Sequence, residues 1–145
     1  MAPTDAQLRD ILTRARTIAI VGLSEKPEKD SNEVARYLRS QGYRVIPVNP
    51  AVAEVFGEKS YPSLTAIPRE IRIDIADIFR RSDQVVPIAK EAIRRGIPVV
   101  WMQLGIENAE AGSIVREAGG VDIENLCIMT QHRRLGLPAV GPARE

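Results

Sequence analysis

The chain has 145 residues, 44% of them hydrophobic and 27% charged, with 20 Lys and Arg against 19 Asp and Glu. A formal net charge of +1 leaves no nucleic-acid footprint, 4% aromatics give no base-stacking platform, and one cysteine with one histidine makes neither a disulfide nor a structural zinc site. No apolar run approaches the ~20 residues that span a bilayer, and the N-terminus lacks the apolar core of a signal peptide, so one cytoplasmic domain over residues 1–145 with no membrane contact is expected.

Residues 4–16 carry Leu8, Ile11, Leu12 and Ala15 on one face behind a Thr4-Asp5 cap. This predicts an amphipathic helix that covers either the sheet or a second subunit. Residues 17–21, with Ile18-Ala19-Ile20-Val21, predict the first strand, which stops at Gly22. A polar loop with Lys26 and Lys29 leads to a helix start at Asp30-Ser31 and a helix over 31–41, with Val34, Ala35 and Leu38 inward and Gly42 as its stop. Residues 44–48 form the second strand, closed by Pro47-Val48-Asn49-Pro50. Residues 51–72 are interrupted by Gly57, Pro62 and Pro68, with one short helix over 63–67. The third strand is 73–79, and Ser82-Asp83 caps a helix through Arg95 with Val85, Val86, Ala89, Ala92 and Ile93 inward. Residues 98–102 are a fourth strand apolar enough to be buried on both faces, 107–118 a helix, 121–123 a short fifth strand and 127–135 a last helical turn. The core spans about 15–135, and 136–145 reads as a loose tail.

Strands alternating with helices give right-handed crossovers and a doubly wound α/β protein, a parallel sheet of about five strands in a three-layer α/β/α arrangement. Ligands of such sheets sit beyond the C-terminal strand ends. Those ends are Gly22-Leu23-Ser24, Val48-Asn49-Pro50, Phe79-Arg80-Arg81 and Gln103-Leu104-Gly105. A strand, a glycine turn and a helix N-terminus in succession form a phosphate-binding arrangement, because the helix offers unpaired N–H groups and a positive dipole end. The NAD fingerprint is not met. Ser24 and Pro27 stand where its second and third glycines belong, and no carboxylate ends the second strand. Positive charge is offered instead, by Lys26, Lys29, Arg80 and Arg81.

The stretches V-G-L-S-E-K-P-E-K-D-S-N-E-V-A-R-Y-L, G-Y-R-V-I-P-V-N-P, D-I-A-D-I-F-R-R-S and V-V-W-M-Q-L-G-I resemble the CoA-binding domain family, over about residues 15–135. This Rossmann-like domain is similar to the N-terminal domain of the succinyl-CoA synthetase α subunit. The resemblance implies that the ADP part of coenzyme A lies across the first loop, its phosphates on Ser24, Lys26, Lys29 and Ser31 beside Gly22 and Leu23. It places Asn49 and Pro50 at the border, Phe79 and Arg80 on the flank, and Gln103-Leu104-Gly105 along the pantetheine arm.

The chemistry-bearing side chains do not assemble into a catalytic set. His132 lies between Gln131 and Arg133-Arg134, which points to a surface or capping role. Cys127 between Leu126 and Ile128 reads as a small buried hydrophobe, with a nucleophile or a mixed disulfide with CoA as the alternative. Asp74 and Asp77 point to opposite faces of a strand and make no acid/base pair, while Glu54, Glu58 and Glu70 read as solvated and Trp101 as core. Ser24 lacks the nucleophile elbow. The expectation is a non-catalytic carrier, sensor or regulatory module that binds coenzyme A or acyl-CoA. The alternatives are an NAD(P)-using or acyl-transferring enzyme and a synthetase-like subunit needing a partner chain.

Overall fold

The computed structural model describes residues 2–141. Its centre is a sheet of β1 (Thr17–Val21), β2 (Arg44–Val48), β5 (Ile75–Ile78), β6 (Val99–Met102) and β7 (Val121–Ile123). All pairings are parallel, in the order β2-β1-β5-β6-β7. Successive side chains of a strand face opposite ways, so two cores form. Ile18, Ile20, Ile75, Trp101 and Ile123 meet α1 (Asp5–Arg14), α2 (Asp30–Ser40) and α5 (Ile128–Arg134) on one face. Ala19, Val21, Ile46, Ala76, Ile78, Val100 and Met102 meet α3 (Val85–Arg94) and α4 (Ala109–Glu117) on the other. Among the described residues no helix is long and apolar enough to cross a membrane.

The elements start and stop for local reasons. The Thr4 hydroxyl accepts the Gln7 N–H and the Gln7 side chain accepts the Thr4 N–H, a reciprocal cap that starts α1. The apolar stripe Leu8–Leu12 then packs on the sheet face rather than on its edge. Asp74 takes the amides of Arg16 and Thr17 on its carboxylate at 2.9 and 3.0 Å, which delays the third strand from residue 73 to Ile75.

Three expectations are corrected. Residues 54–59 form a small antiparallel hairpin, β3 (Glu54–Val55) with β4 (Glu58–Lys59), turned by Phe56 and Gly57 at positive φ. Glu58 is not simply solvated, because its carboxylate takes the Arg44 guanidinium at 2.7 Å. Ser82 and Asp83 do not cap α3 but lie in a 3-10 turn (Ser82–Gln84) ahead of it. The Ser82 hydroxyl accepts the Glu107 N–H, and its carbonyl accepts from the Asn108 amide, which itself caps α4. Within residues 136–141 the Val140 N–H donates to the Gln41 carbonyl at 2.8 Å, and residues 142–145 lie outside the described residues.

Arg95, 8% exposed at the end of α3, ties down the irregular 64–73 segment. Its guanidinium donates to the carbonyls of Ile67, Pro68 and Ile71 at 3.2, 2.6 and 2.7 Å. Charge-assisted bonds of this kind contribute more than neutral ones, so Arg95→Ala is expected to cost about 2–3 kcal/mol in urea unfolding at neutral pH. Arg95→Lys should recover less than half of that, since an ammonium cannot span three carbonyls as the guanidinium fork does. An alanine variant as stable as wild type would show that the segment holds itself.

Candidate functional site

The strand order reverses direction between β1 and β5: the chain leaves β1 toward β2 on one side and returns to β5 on the other. That switch point opens a crevice at the C-terminal strand ends. Gly22 stands at its mouth with φ +88°, its N–H on the Val48 carbonyl at 2.8 Å. The Phe79 N–H closes the other side on the Val21 carbonyl at 2.8 Å. A Cβ on Gly22 would lie 2.6 Å from the Phe79 carbonyl oxygen and 3.5 Å from the Arg80 Nε. Only glycine keeps the backbones this close without a side chain in the crevice.

The loop after Gly22 is pre-shaped by its own polar side chains. Ser31, buried in the first turn of α2, accepts the Ser24 N–H on its hydroxyl at 3.0 Å, and the Ser24 hydroxyl accepts the Lys26 N–H at 3.0 Å. Asn32, 1% exposed, donates to the Ser24 carbonyl and accepts from Arg36, which also reaches the Pro27 carbonyl at 2.9 Å. On the far side the Asn49 amide donates to the Leu23 carbonyl at 2.9 Å. These bonds aim the loop at the start of α2, where the amides of Asp30 and Ser31 have no helical carbonyl behind them. Lys29 precedes that turn without a side-chain cap of its own. Lys26 and Lys29 are exposed and, with Arg80, form no ion pair among the described residues. Glu25, Glu28 and Asp30 alternate with the lysines on equally exposed positions.

Gly22, Ser24, Lys26, Lys29, Ser31, Asn49, Pro50, Phe79 and Arg80 therefore converge on one edge. Pro50 and Arg80 also line a cleft of about 110 Å³ with Val21, Val48 and Leu64. Leu23 differs from expectation: its side chain is fully buried and only its backbone reaches the loop. Gln103 is likewise 4% exposed, its side-chain oxygen accepting the Ile128 N–H at 3.1 Å. Gly105, at φ +86°, gives its N–H to the Asn125 side chain at 2.7 Å. These last two residues fasten the 125–128 segment to the end of β6.

Asn32 and Arg36 shape the site, and the sequence signals only Asn32, as a polar residue on the inward side of the first turn of α2, while Arg36 stands on the exposed side one turn later. His132 corrects the surface reading, since it is 1% exposed with Nδ1 2.7 Å from the Tyr37 hydroxyl, joining α5 to α2. Burial holds its imidazole below the usual histidine range. Asp77, in the central strand β5, is fully buried with no hydrogen-bond partner for either oxygen among the described residues. Burial pushes its carboxyl well above the usual carboxylate range, and the charge of Cys127 adds to the effect.

The profile of a family described as "CoA binding domain" matches residues 16–133. The chain is 40% identical over 130 residues to "Uncharacterized protein YneT" of Bacillus subtilis, covering 90% of this chain and 95% of that one. It is 40% identical over 106 residues to "Acetate--CoA ligase [ADP-forming] II subunit alpha" of Pyrococcus furiosus, covering 71% of this chain but 23% of that subunit. A hypothetical protein from Pyrococcus horikoshii OT3 has the same fold at TM-score 0.89 and 43% identity, covering 93% of this chain and 94% of that one.

Proposed function

The chain belongs to the CoA-binding domain family, and we propose that it binds coenzyme A, free or acylated, in the crevice at Gly22. In this reading it is one cytoplasmic domain that serves as a carrier, sensor or regulatory module. The observation that supports it best is the convergence at one switch point of a glycine with no room for a Cβ, the open first turn of α2 and the cations Lys26, Lys29 and Arg80, which form no ion pair among the described residues. The ADP part of coenzyme A carries a pyrophosphate and a 3′-phosphate, which need amide donors and cations and no ribose-binding acid. The Asp30 and Ser31 amides and the Ser24 and Ser31 hydroxyl protons take the pyrophosphate. Lys26 and Lys29 add charge, with Asn49 and Pro50 on one border and Phe79 and Arg80 on the other. Gln103 and Gly105 then act by holding the 125–128 segment beside the pantetheine arm rather than by touching it through free polar atoms.

Calorimetric titration tests this with CoA, dephospho-CoA and NAD. Saturable CoA binding is expected, weakened about tenfold by Lys29→Ala and by at least as much on removal of the 3′-phosphate, the scale of one lost charge-assisted contact. NAD binding without CoA binding would overturn it. The match to 23% of a ligase α subunit favours a second reading, a synthetase-like subunit completed by a partner chain or a second copy. Co-purification and sedimentation of the native protein distinguish the two.

A further inference from the structure

We propose that Asp122 and Glu124 form a proton-sensing pair: one shared proton keeps β7 seated on α4, and its loss loosens the 105–108 loop beside the ligand crevice. The pair senses protons whatever the ligand is. The effect on binding rests on the coenzyme A reading above and assigns that site a regulation.

The geometry starts from an edge strand. β7 has three residues and lies at one end of the sheet, bonded to β6. Asp122 is in register with Val100, which belongs to the core under α4, so Asp122 and Glu124, two residues on, face that helix. They meet it at Gly112, where a Cβ would lie 2.4 Å from Asp122 Oδ2 and 2.5 Å from Glu124 Oε2. Those two oxygens are therefore no more than about 5 Å apart, in a space that only glycine leaves open. The Asp122 side chain is 4% exposed, and its Oδ1 has no hydrogen-bond partner among the described residues.

The charged groups around the pair are Arg116, Glu107 and the chain's amino terminus. Arg116 reaches Asp122 Oδ2 at 2.9 Å but is itself 56% exposed, and Glu107 adds negative charge to the same cleft. One exposed guanidinium does not offset two facing carboxylates, one of them with a buried orphan oxygen, so the pair holds one proton between its members. Burial first, and then Glu124, push the Asp122 carboxyl up to about 7, against the pull of Arg116 and the amino terminus. A cleft of about 390 Å³, lined also by Asn125 and Leu126, gives the proton its way to solvent.

Glu124 and its neighbour connect the pair to the crevice. Glu124 Oε1 accepts the Asn108 N–H at 2.8 Å, and Asn108 caps α4 and holds the Ser82 carbonyl. The Asn125 side chain accepts the Gly105 N–H at 2.7 Å, and its backbone N–H donates to the Ile106 carbonyl at 3.1 Å. Residues 105–108 are thus fastened to the two residues that follow β7. When the shared proton leaves, two like charges face each other where water screens them poorly, and the short edge strand is the part that yields. Movement of 124–125 then releases all three bonds together.

The sign with pH follows from the raised carboxyl. In the loosened state Asp122 is solvated and loses its proton near pH 4, whereas the seated pair keeps it to about pH 7. Loosening therefore becomes up to about tenfold more favourable per pH unit between these values and levels off above them.

Hydrogen exchange followed by NMR on the full chain from pH 5 to pH 8 tests this, beside calorimetry with CoA at pH 6 and pH 8. Protection of the Gly105 and Asn108 amides, corrected for intrinsic exchange, is expected to fall at least tenfold over that range in wild type. It should stay level in Asp122→Asn, whose amide still donates to Glu124, and in Glu124→Gln, which keeps the acceptor for Asn108 but removes the second charge. Asp77→Asn, in a different strand, should retain the fall. The ratio of wild-type to Asp122→Asn affinity for CoA, in which ionisation of the ligand itself cancels, is expected to drop about threefold from pH 6 to pH 8. Protection that falls equally in both carboxyl variants would overturn the pair as the sensor, and Glu124→Gln decides alone where Asp122→Asn does not fold. A pH-dependent loop with an unchanged affinity ratio would overturn the regulation and leave both the pair and the binding reading standing. A pH-dependent loop with no calorimetric CoA binding would overturn the binding reading and leave the pair.

Discussion

Gly22→Ala is expected to lose about 2–5 kcal/mol of stability, and coenzyme A binding with it. Two costs combine. The residue sits at φ +88°, where an L side chain pays about 1–2 kcal/mol, and the new methyl would lie 2.6 Å from the Phe79 carbonyl oxygen. That oxygen is backbone, so relief requires moving β5 away from β1, at the roughly 1–3 kcal/mol that overpacking takes. The movement strains the Phe79 N–H bond to Val21 that closes the crevice. Gly96→Ala separates the terms, because Gly96 has φ +75° and nothing within 4 Å of its Cβ position, so it carries the conformational cost alone. Denaturant unfolding of both variants and calorimetry on the folded fraction check the result. If Gly22→Ala costs no more than Gly96→Ala, the close approach of β5 does not shape the site.

The parts of this fold legible in the sequence are those governed by near neighbours along the chain. β1, β2 and β7 run over the expected residues, and Val34, Ala35 and Leu38 face inward, because burial on two sheet faces or one helix face writes a short-period pattern. The chain order of glycine turn and helix start likewise pointed to the edge where the site residues gather. What was not legible depends on partners distant in sequence. Phe56 in a left-handed conformation hid a two-residue turn, since the signal for such turns is Asn, Asp or Gly. Ser82 looked like a cap for the helix that follows it, yet it serves the start of α4, 25 residues on.

The same distinction runs through the site. Gln103 at a strand end looked like a ligand contact, but its oxygen is committed to Ile128, 25 residues away, and its role is to position another segment. Leu23 stands between Gly22 and Ser24 at a strand end, but its side chain is buried and it contributes a carbonyl that Asn49 holds. His132 between polar neighbours gave the composition of a surface turn. Only the packing of α5 on α2 shows that the histidine is buried together with Gln131, its ring turned onto Tyr37, while Arg133 and Arg134 stay exposed. Residue type and spacing locate a site edge, whereas the division of labour within it depends on which atoms are already paired.

Asp77→Val is expected to stabilise the protein by about 2–3 kcal/mol at pH 7.5, the scale of a buried polar group with no partner. The sign with pH follows from the upward shift of its carboxyl. An unfolded aspartate releases its proton near pH 4, whereas the folded one holds it to higher pH. Below about pH 4 both states are protonated, and the wild type is at its least disadvantage. As pH rises above that value the unfolded chain ionises first, so stability falls by up to about 1.4 kcal/mol per pH unit until the folded carboxyl also ionises. The advantage of the variant therefore grows from pH 4.5 to pH 7.5, and Asp77→Asn, which removes the charge but keeps the shape, should show the same trend with a smaller offset. Urea unfolding of the three proteins at both values decides it. A variant no more stable than wild type at pH 7.5 would mean that the carboxylate is compensated where it stands. Ile20 and Trp101 flank Asp77 in the sheet, so valine completes an apolar row there and the gain comes from removing a buried polar group that has no partner among the described residues.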